Sequence, residues 1–380
     1  MSSKGRETVP CVVFTGGGTG GHVYPGLAVA ARLREAWDGR LVWIGSGKEV
    51  ERRAVEAAGI EFLAVPSGKL RRELNFRNLA DAFRVLAGYF ASRRLLKRLR
   101  PALVFSKGGY VSVPPCAAAA SLGIPVFTHE SDATPGLATR LNARRAERIF
   151  VAYEATRERF PVALRARVEA LGNPVRADLD SGDAARGRAF LGADEGVPVI
   201  LVLGGSQGAR QVNGLVEAAL PKLAAEAFVA HQCGEAAAPG SAADDGPRYR
   251  RLPFIGGEYP DIVAAADLVV GRSGAGTLSE CGRAGKPFVL VPLAGSGTRG
   301  DQVDNARIFE AAGAALVLTG EDATPERLAD AALGILRDEA KARRMGEASR
   351  QVAGGDAARA IATRILERVG KAGSETEATR

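Results

Sequence analysis

Cysteine and histidine are scarce in this 380-residue chain, with four of the first and three of the second. Cys11, Cys116, Cys233 and Cys281 never fall at C-x-x-C spacing, so neither a zinc cluster nor a disulfide framework is expected. That usage fits a reducing, cytoplasmic compartment, and no metal or cofactor is expected. No apolar run approaches the ~20 residues needed to span a bilayer, so the chain is expected to be soluble or to rest on a membrane without crossing it. The N-terminus shows no charged start followed by an apolar core, and no signal peptide is expected. There is no low-complexity tract and no short-period repeat. No D-x-D pair ends a strand, since "DLD" at Asp178 to Asp180 falls in a polar stretch.

What is present is ordinary globular composition, 46% apolar and 25% charged, at a length that suits two domains. The net charge is +8, and it is concentrated. From Lys69 to Arg100 there are ten Lys or Arg against two acids, Glu73 and Asp81, so this window alone carries +8. An anionic partner follows: nucleic acid, a phosphorylated ligand or an acidic membrane. Neither an RNP-like aromatic strand nor a zinc knuckle supports nucleic acid, and no nucleic-acid partner is expected.

Short apolar runs alternate with helical patterns. Val9 to Phe14, Leu41 to Ile44, Glu61 to Val65, Ala102 to Phe105, Pro125 to Thr128 and Arg148 to Ala152 read as buried strands, with helices such as Pro25 to Trp37 and Leu79 to Leu99 between them. The polar stretch "LGNPVRADLDSGDAARGRAF" reads as a linker. The rhythm then restarts at Val199 to Leu203, Phe228 to His231, Leu252 to Ile255, Leu268 to Val270, Phe288 to Val291 and Ala315 to Leu318. The expected fold class is α/β: two Rossmann-like, doubly wound parallel-sheet domains facing across a cleft, 1–174 and 175–350, with a C-terminal helix at about 351–370 packing back on the first. The cleft is the natural ligand site.

Three strand–glycine–helix turns carry the chemistry. "CVVFTGGGTGGHVYPGLAVA" places Gly16, Gly18 and Gly21 between a strand and a helix, with Pro25 read as its first turn. Free N–H groups and the helix dipole there suit a phosphate, although a merely tight βα turn reads the same way. A dinucleotide site would also need an acid ending the second strand. That strand ends in Gly45 and Ser46, and Glu49 and Glu51 lie past the turn, which disfavours an NAD(P)-dependent oxidoreductase. Beside the loop, His22 suits either a proton acceptor or an imidazole supporting the loop. "VILVLGGSQGARQVNG" repeats the device with Ser206, and "LVVGRSGAGTLSECGRAGKPFVLVP" repeats it again from Ser273 to Thr277. Glu280, one turn into that helix, can take both hydroxyls of a ribose or be a solvated charge. A phosphate-rich donor on one domain and a phosphate-bearing acceptor on the other would account for all three loops.

Seven segments in order, "GGTGGHVYPGLAVA", "KGGYVSVP", "GIPVFTHESDATPGLA", "GNPVR", "GGSQGAR", "RSGAGTLSE" and "DQVDNA", resemble the MurG family. The resemblance implies a GT-B glycosyltransferase that moves N-acetylglucosamine from UDP-N-acetylglucosamine to the C4 hydroxyl of MurNAc in undecaprenyl-pyrophosphoryl-MurNAc-pentapeptide, by inversion and without a metal. A different lipid-directed UDP-sugar transferase is the near alternative. The resemblance implies an acceptor pyrophosphate loop at Gly18, Thr19, Gly20, Gly21 and His22, with His22 as catalytic base. For the donor it implies Thr19, Gly20, Gly21, Arg176, Ser206, Ile255, Ala275, Gly276, Thr277, Leu278, Ser279, Glu280 and Gln302, with Ile255 reading uracil through its backbone. Some members read H-E-Q-N where this chain has "HESD", and Asp132 offers only acceptors when ionised.

An acceptor with a polyprenyl tail implies a peripheral enzyme on the cytoplasmic face of the bacterial membrane. Leu79, Phe83, Leu86 and Phe90 recur at steps of four, three and four, ringed by Arg84, Arg93, Arg94, Lys97, Arg98 and Arg100. This suits an anionic membrane surface. The same apolar face could instead pack on its own sheet, and both could hold with different residues.

Overall fold

The structure, a computed structural model, describes residues 10–18, 20–68, 76–204, 209–234, 246–295 and 300–378. The chain divides into two compact units, Met1–Val175 with Asp356–Arg380, and Arg176–Gly355.

In the first unit β1 (Cys11–Thr15), α1 (Gly20–Arg34), β2 (Arg40–Gly45), α2 (Glu49–Ala57), β3 (Glu61–Ala64), α3 (Phe76–Leu99), β4 (Leu103–Ser106), α4 (Val113–Ser121), β5 (Val126–Glu130), α5 (Leu137–Ala143), β6 (Arg148–Val151), α6 (Val162–Arg165) and β7 (Val168–Ala170) follow one another. The second unit holds α7 (Ala184–Leu191), β8 (Val199–Leu203), α8 (Arg210–Leu223), β9 (Phe228–Gln232), β10 (Tyr249–Leu252), α9 (Tyr259–Ala265), β11 (Leu268–Gly271), α10 (Ala275–Arg283), β12 (Phe288–Leu290), α11 (Asp301–Ala311), β13 (Ala315–Val317), α12 (Pro325–Leu336) and α13 (Glu339–Ala353). The chain then returns to the first unit as α14 (Ala357–Ala378).

The sheets run β3-β2-β1-β4-β5-β6-β7 and β10-β9-β8-β11-β12-β13, and every pairing is parallel. Parallel strands need helices on both faces, which is why the strands read as unbroken apolar runs. Phe14, Trp43, Phe105 and Phe127 are wholly buried on one side of the first sheet, with Ile361 and Ile365 of α14 in the same cluster. Val13, Val42, Val104 and Leu96 fill the other side. Both orders reverse direction at one point, between β1 and β4 and between β8 and β11. In doubly wound sheets, ligands bind beyond the strand carboxyl ends at that switch point.

Four differences from the sequence reading have local causes. Helix α1 starts at Gly20, so Pro25 lies in its second turn rather than its first. With no N–H, Pro25 leaves the Gly21 carbonyl without its i+4 donor. Strand β10 ends at Leu252, whereas the reading began a strand there, because the polar "YRRL" alternates buried and half-buried positions at a sheet edge. Strand β7 is only three residues long, too short to stand out as an apolar run. The polar stretch read as a linker contains α7, capped by Asp183, whose carboxylate accepts from Arg186 N at 3.0 Å, and ended by Gly192 in the left-handed region. Arg186 also forks onto Asp261 of α9 at 2.9 and 2.8 Å, which holds α7 to the second unit.

Candidate active site

At the first switch point, the loop after β1 meets the loop after β4. The Gly18 N–H donates to Glu51 Oε1 at 2.5 Å, and the other oxygen of Glu51 accepts from Ser46 N at 2.9 Å and Ser46 Oγ at 2.7 Å. Glu51, on α2, is only 3% exposed. Its carboxylate is therefore committed to shaping the glycine loop. That removes Glu51 from any ribose role. Lys48 Nζ adds a 3.2 Å bond to Gly18 O, and Trp43 Nε1 donates to Gly16 O at 3.2 Å.

His22, in the first turn of α1, is half-buried against Gly108 and Gly109 of the second loop. Gly109 sits at φ +76°, and a Cβ there would lie 2.4 Å from Gly17 O and 2.9 Å from His22 Cδ2, so only glycine lets these loops close on each other. Ser112 Oγ donates to Gly109 O at 2.8 Å, and Asn142 Nδ2 donates to Ser112 Oγ at 2.8 Å, which fixes that loop from α5. Of the expected acceptor-loop residues, Gly18, Gly20, Gly21 and His22 stand here together. Thr19 lies outside the described residues.

Below the loops is a buried lysine that the sequence reading passed over. Lys107 follows β4 and is 1% exposed, and its Nζ donates to Ser131 Oγ. Ser131 in turn donates to Asn173 Oδ1 at 2.9 Å. Burial brings the Lys107 ammonium down to about 8, while Glu130 and Asp132 act to raise it. Glu130 accepts from Ser131 N, Asp132 N and Gly136 N at 2.9, 3.1 and 3.0 Å, so it braces the "SDATPG" turn. His129 is wholly buried and gives its Nε2–H to Gly172 O at 2.9 Å. Burial, and then the charge of Lys107, hold its pKa well below the usual range, so it stays neutral.

The second unit gathers its candidates at the carboxyl edge of its sheet. The loop after β8 continues into residues outside the described set, Ser206 among them. After β11, the helical ladder of α10 begins with Leu278 N donating to Gly274 O at 3.0 Å. The earlier N–H groups of Ala275, Gly276 and Thr277 thus open the helix, and Gly274 supplies no side-chain cap. Leu278 and Ser279 differ from the rest. Both are buried, and Ser279 Oγ donates back to Ala275 O at 2.7 Å, so these side chains serve the helix and the core. Gln302, in the first turn of α11, takes Leu293 N on its Oε1 at 2.9 Å, and its carbonyl accepts from Ser273 Oγ at 2.6 Å. Ile255 is buried just after β10, with its N–H on Gln232 Oε1 at 3.2 Å.

Glu280, half-buried on α10, accepts from the Tyr259 hydroxyl at 3.0 Å. Burial pushes its carboxyl pKa up, the Tyr259 hydrogen bond and the charge of Arg176 pull it down, and Asp178 pushes it up again. Arg176 is forked onto Asp178 at 2.6 and 2.5 Å. Arg176 and Glu280 are therefore electrostatic neighbours, although they are far apart in the chain. Among the described residues, no group of three or more His, Cys, Asp or Glu is placed to hold a metal ion.

Helix α3 leaves most of its apolar stripe exposed. Phe83, Leu86 and Phe90 are 65%, 53% and 60% exposed, while Gly88, Ser92 and Leu96 form the buried face. A Cβ on Gly88 would lie 2.1 Å from Pro66 O, so the helix comes close to the neighbouring chain at that point. The periodic large hydrophobics point away from their own sheet, and Arg84, Arg94, Lys97 and Arg98 are exposed on the same helix. Leu79 belongs to the segment whose side chains are not described. Among the described residues, no helix is long and apolar enough to cross a membrane.

Residues 12–151 match the glycosyltransferase family 28 N-terminal domain, and residues 199–364 match its C-terminal domain. The UDP-N-acetylglucosamine–N-acetylmuramyl-(pentapeptide) pyrophosphoryl-undecaprenol N-acetylglucosamine transferase of Treponema denticola is 46% identical over 346 residues, 86% of this chain and 88% of the relative. The protein of the same name from Treponema pallidum is 44% identical over 368 residues, 95% of this chain and 96% of its own. Among solved structures, Acinetobacter baumannii MurG superposes with a TM-score of 0.74 at 28% identity, covering 94% of this chain and 99% of that one. With two parallel-sheet α/β units of the GT-B class and both family 28 domains in order, the chain belongs to the MurG family of glycosyltransferases.

Proposed function

We propose that this chain transfers N-acetylglucosamine from UDP-N-acetylglucosamine to the C4 hydroxyl of the MurNAc in undecaprenyl-pyrophosphoryl-MurNAc-pentapeptide. The observation that carries the reading is the match, over nearly the whole of both chains, to relatives named for this transfer.

The second unit takes the donor. Glu280 accepts the ribose hydroxyls, the Ile255 backbone reads uracil, and Gln302 holds hydroxyls of the transferred sugar. The N–H groups opening α10, the loop containing Ser206, and Arg176 receive the diphosphate, for which a helix start and a fixed cation are suited. For this, Arg176 turns from Asp178 and Ile255 N–H from Gln232, so donor binding exchanges internal partners for ligand. The first unit takes the acceptor, with its pyrophosphate at Gly18 to His22. His22 accepts the C4 hydroxyl proton as that oxygen bonds to the sugar's anomeric carbon. The bond from that carbon to the β-phosphate oxygen breaks, and UDP leaves with the electron pair, so an α-linked donor gives a β-1,4 product. Amides and Arg176 stabilise the charge growing on UDP.

The enzyme reaches its lipid-linked acceptor by lying on the cytoplasmic face of the membrane. Phe83, Leu86 and Phe90 enter the interface and the cations of α3 meet anionic headgroups. Titration with UDP, UDP-N-acetylglucosamine and NADH tests the donor assignment. Saturable binding of the two uridine ligands is expected, and binding of NADH without uridine nucleotides would overturn it.

A further inference from the structure

The proposed donor site depends on Glu280 presenting an ionised, fixed carboxylate, yet that side chain is half-buried on the second turn of a nine-residue helix. A glutamate has three rotatable bonds, so a carboxylate without an anchor would sample several directions before meeting a diol. Here one oxygen is anchored. Tyr259, the first residue of α9, brings its hydroxyl to 3.0 Å from Glu280 Oε2 and 3.8 Å from Cys281 Sγ. A tyrosine hydroxyl can give one proton. Burial, and then the neighbouring Cys281 and Glu280, raise the Tyr259 pKa well above its usual range, so that proton stays on the phenol and is given to the carboxylate. The route is purely tertiary, because α9 and α10 flank β11 and twenty-one positions separate the two side chains. Pro260, directly after the tyrosine, is the second residue of α9, where its missing N–H costs no helical bond.

We infer that Tyr259 is a positioning residue for the nucleotide: it holds Glu280 Oε2 so that Oε1 is left as the acceptor for the ribose hydroxyls. Glu280 touches the donor and Tyr259 acts through it. This deepens the proposed function and rests on the ribose assignment of Glu280.

The test is a binding comparison of UDP with 2′,3′-dideoxy-UDP for wild type, Y259F and E280A, made on the full chain. Wild type prefers UDP, and E280A loses that preference. Y259F weakens UDP by ~3–10-fold, the scale of one ordinary hydrogen bond, and binds the dideoxy analogue within about twofold of wild type. Retained dideoxy-UDP binding also shows that the Y259F site is folded. With both substrates present, the Y259F defect falls on KM for UDP-N-acetylglucosamine and leaves kcat at saturation near wild type. If E280A removes the preference and Y259F keeps it in full, Tyr259 has no positioning role and Glu280 keeps its own. An E280A that discriminates like wild type sinks the ribose assignment and the inference together. A Y259F that weakens both ligands equally shows a general packing defect, which also overturns the inference.

Discussion

Replacing Glu51 by Gln changes one atom and leaves the shape of the side chain intact, so it isolates the electrostatic work of the glycine-loop anchor. The native carboxylate faces donors on both oxygens, Gly18 N–H on one and Ser46 N–H and Oγ on the other. A glutamine has one acceptor oxygen and one NH2. Turned one way, its NH2 opposes the Gly18 N–H; turned the other way, it opposes the Ser46 N–H. Ser46 Oγ can rotate to accept, but a backbone N–H cannot. At least one enclosed N–H is left without an acceptor, which costs about 1–3 kcal/mol. At ~2–4 °C per kcal/mol for a unit of this size, the transition of the first unit should fall by roughly 2–12 °C. The loop would also be held less firmly, so KM for the lipid acceptor should rise more than KM for the UDP-sugar. Calorimetry and two-substrate kinetics read both effects. An E51Q protein with unchanged melting and unchanged acceptor KM would refute the idea that this carboxylate shapes the loop.

Lys107 gives a pH signature. Its pKa falls from 10.5 to about 8 in the folded state, so between those values the unfolded chain holds the proton that the folded chain has released, and stability rises with pH across that window by about 3 kcal/mol. Denaturant midpoints of wild type and K107M compared at pH 8 and pH 10.5 should diverge by that gain, and parallel curves would contradict it. H22A should lose ~10²–10⁴ in kcat if His22 is the general base, and near-normal turnover would dismiss that role. Replacing Phe83, Leu86 and Phe90 together by Ser should leave melting nearly unchanged, because all three are exposed. The same variant should bind anionic liposomes at least tenfold more weakly, and co-sedimentation indifferent to the change, to anionic lipid or to salt would end the membrane assignment of α3.

The alternation of apolar runs and helical patterns was enough to read the parallel strands, because each strand is enclosed by helices on both faces and so carries a continuous apolar signal. Strand β7 and the position of β10 escaped, since edge strands bury less and "YRRL" carries no such signal. The start of α1 escaped because Pro25 marks a helix start only when nothing N-terminal to it can turn helically, and Gly20 and Gly21 can. The strand–glycine–helix turns, and Glu280 as a candidate on one of them, could be picked out from local spacing. Their supports could not. The bonds from Glu51 to Gly18, Tyr259 to Glu280 and Gln232 to Ile255 join residues 33, 21 and 23 positions apart, and only the fold brings them into contact. Lys107 is the sharpest case: a lysine just after a strand reads as a surface cation, yet here it is enclosed by Ser131 and the turn that Glu130 braces. On α3 the periodicity was legible, but not its direction, because Phe83, Leu86 and Phe90 on the exposed side and Leu96 with its neighbours Leu95 and Leu99 on the packed side both supply apolar residues at helical spacing.

The most direct measurement is mass spectrometry of the lipid product after incubating the purified chain with undecaprenyl-pyrophosphoryl-MurNAc-pentapeptide and UDP-N-acetylglucosamine. The account predicts the addition of a single N-acetylhexosamine, β-1,4-linked, with one UDP released for each sugar transferred. An unmodified acceptor under conditions where UDP-N-acetylglucosamine binds, or equal transfer from unrelated UDP-sugars, would contradict it.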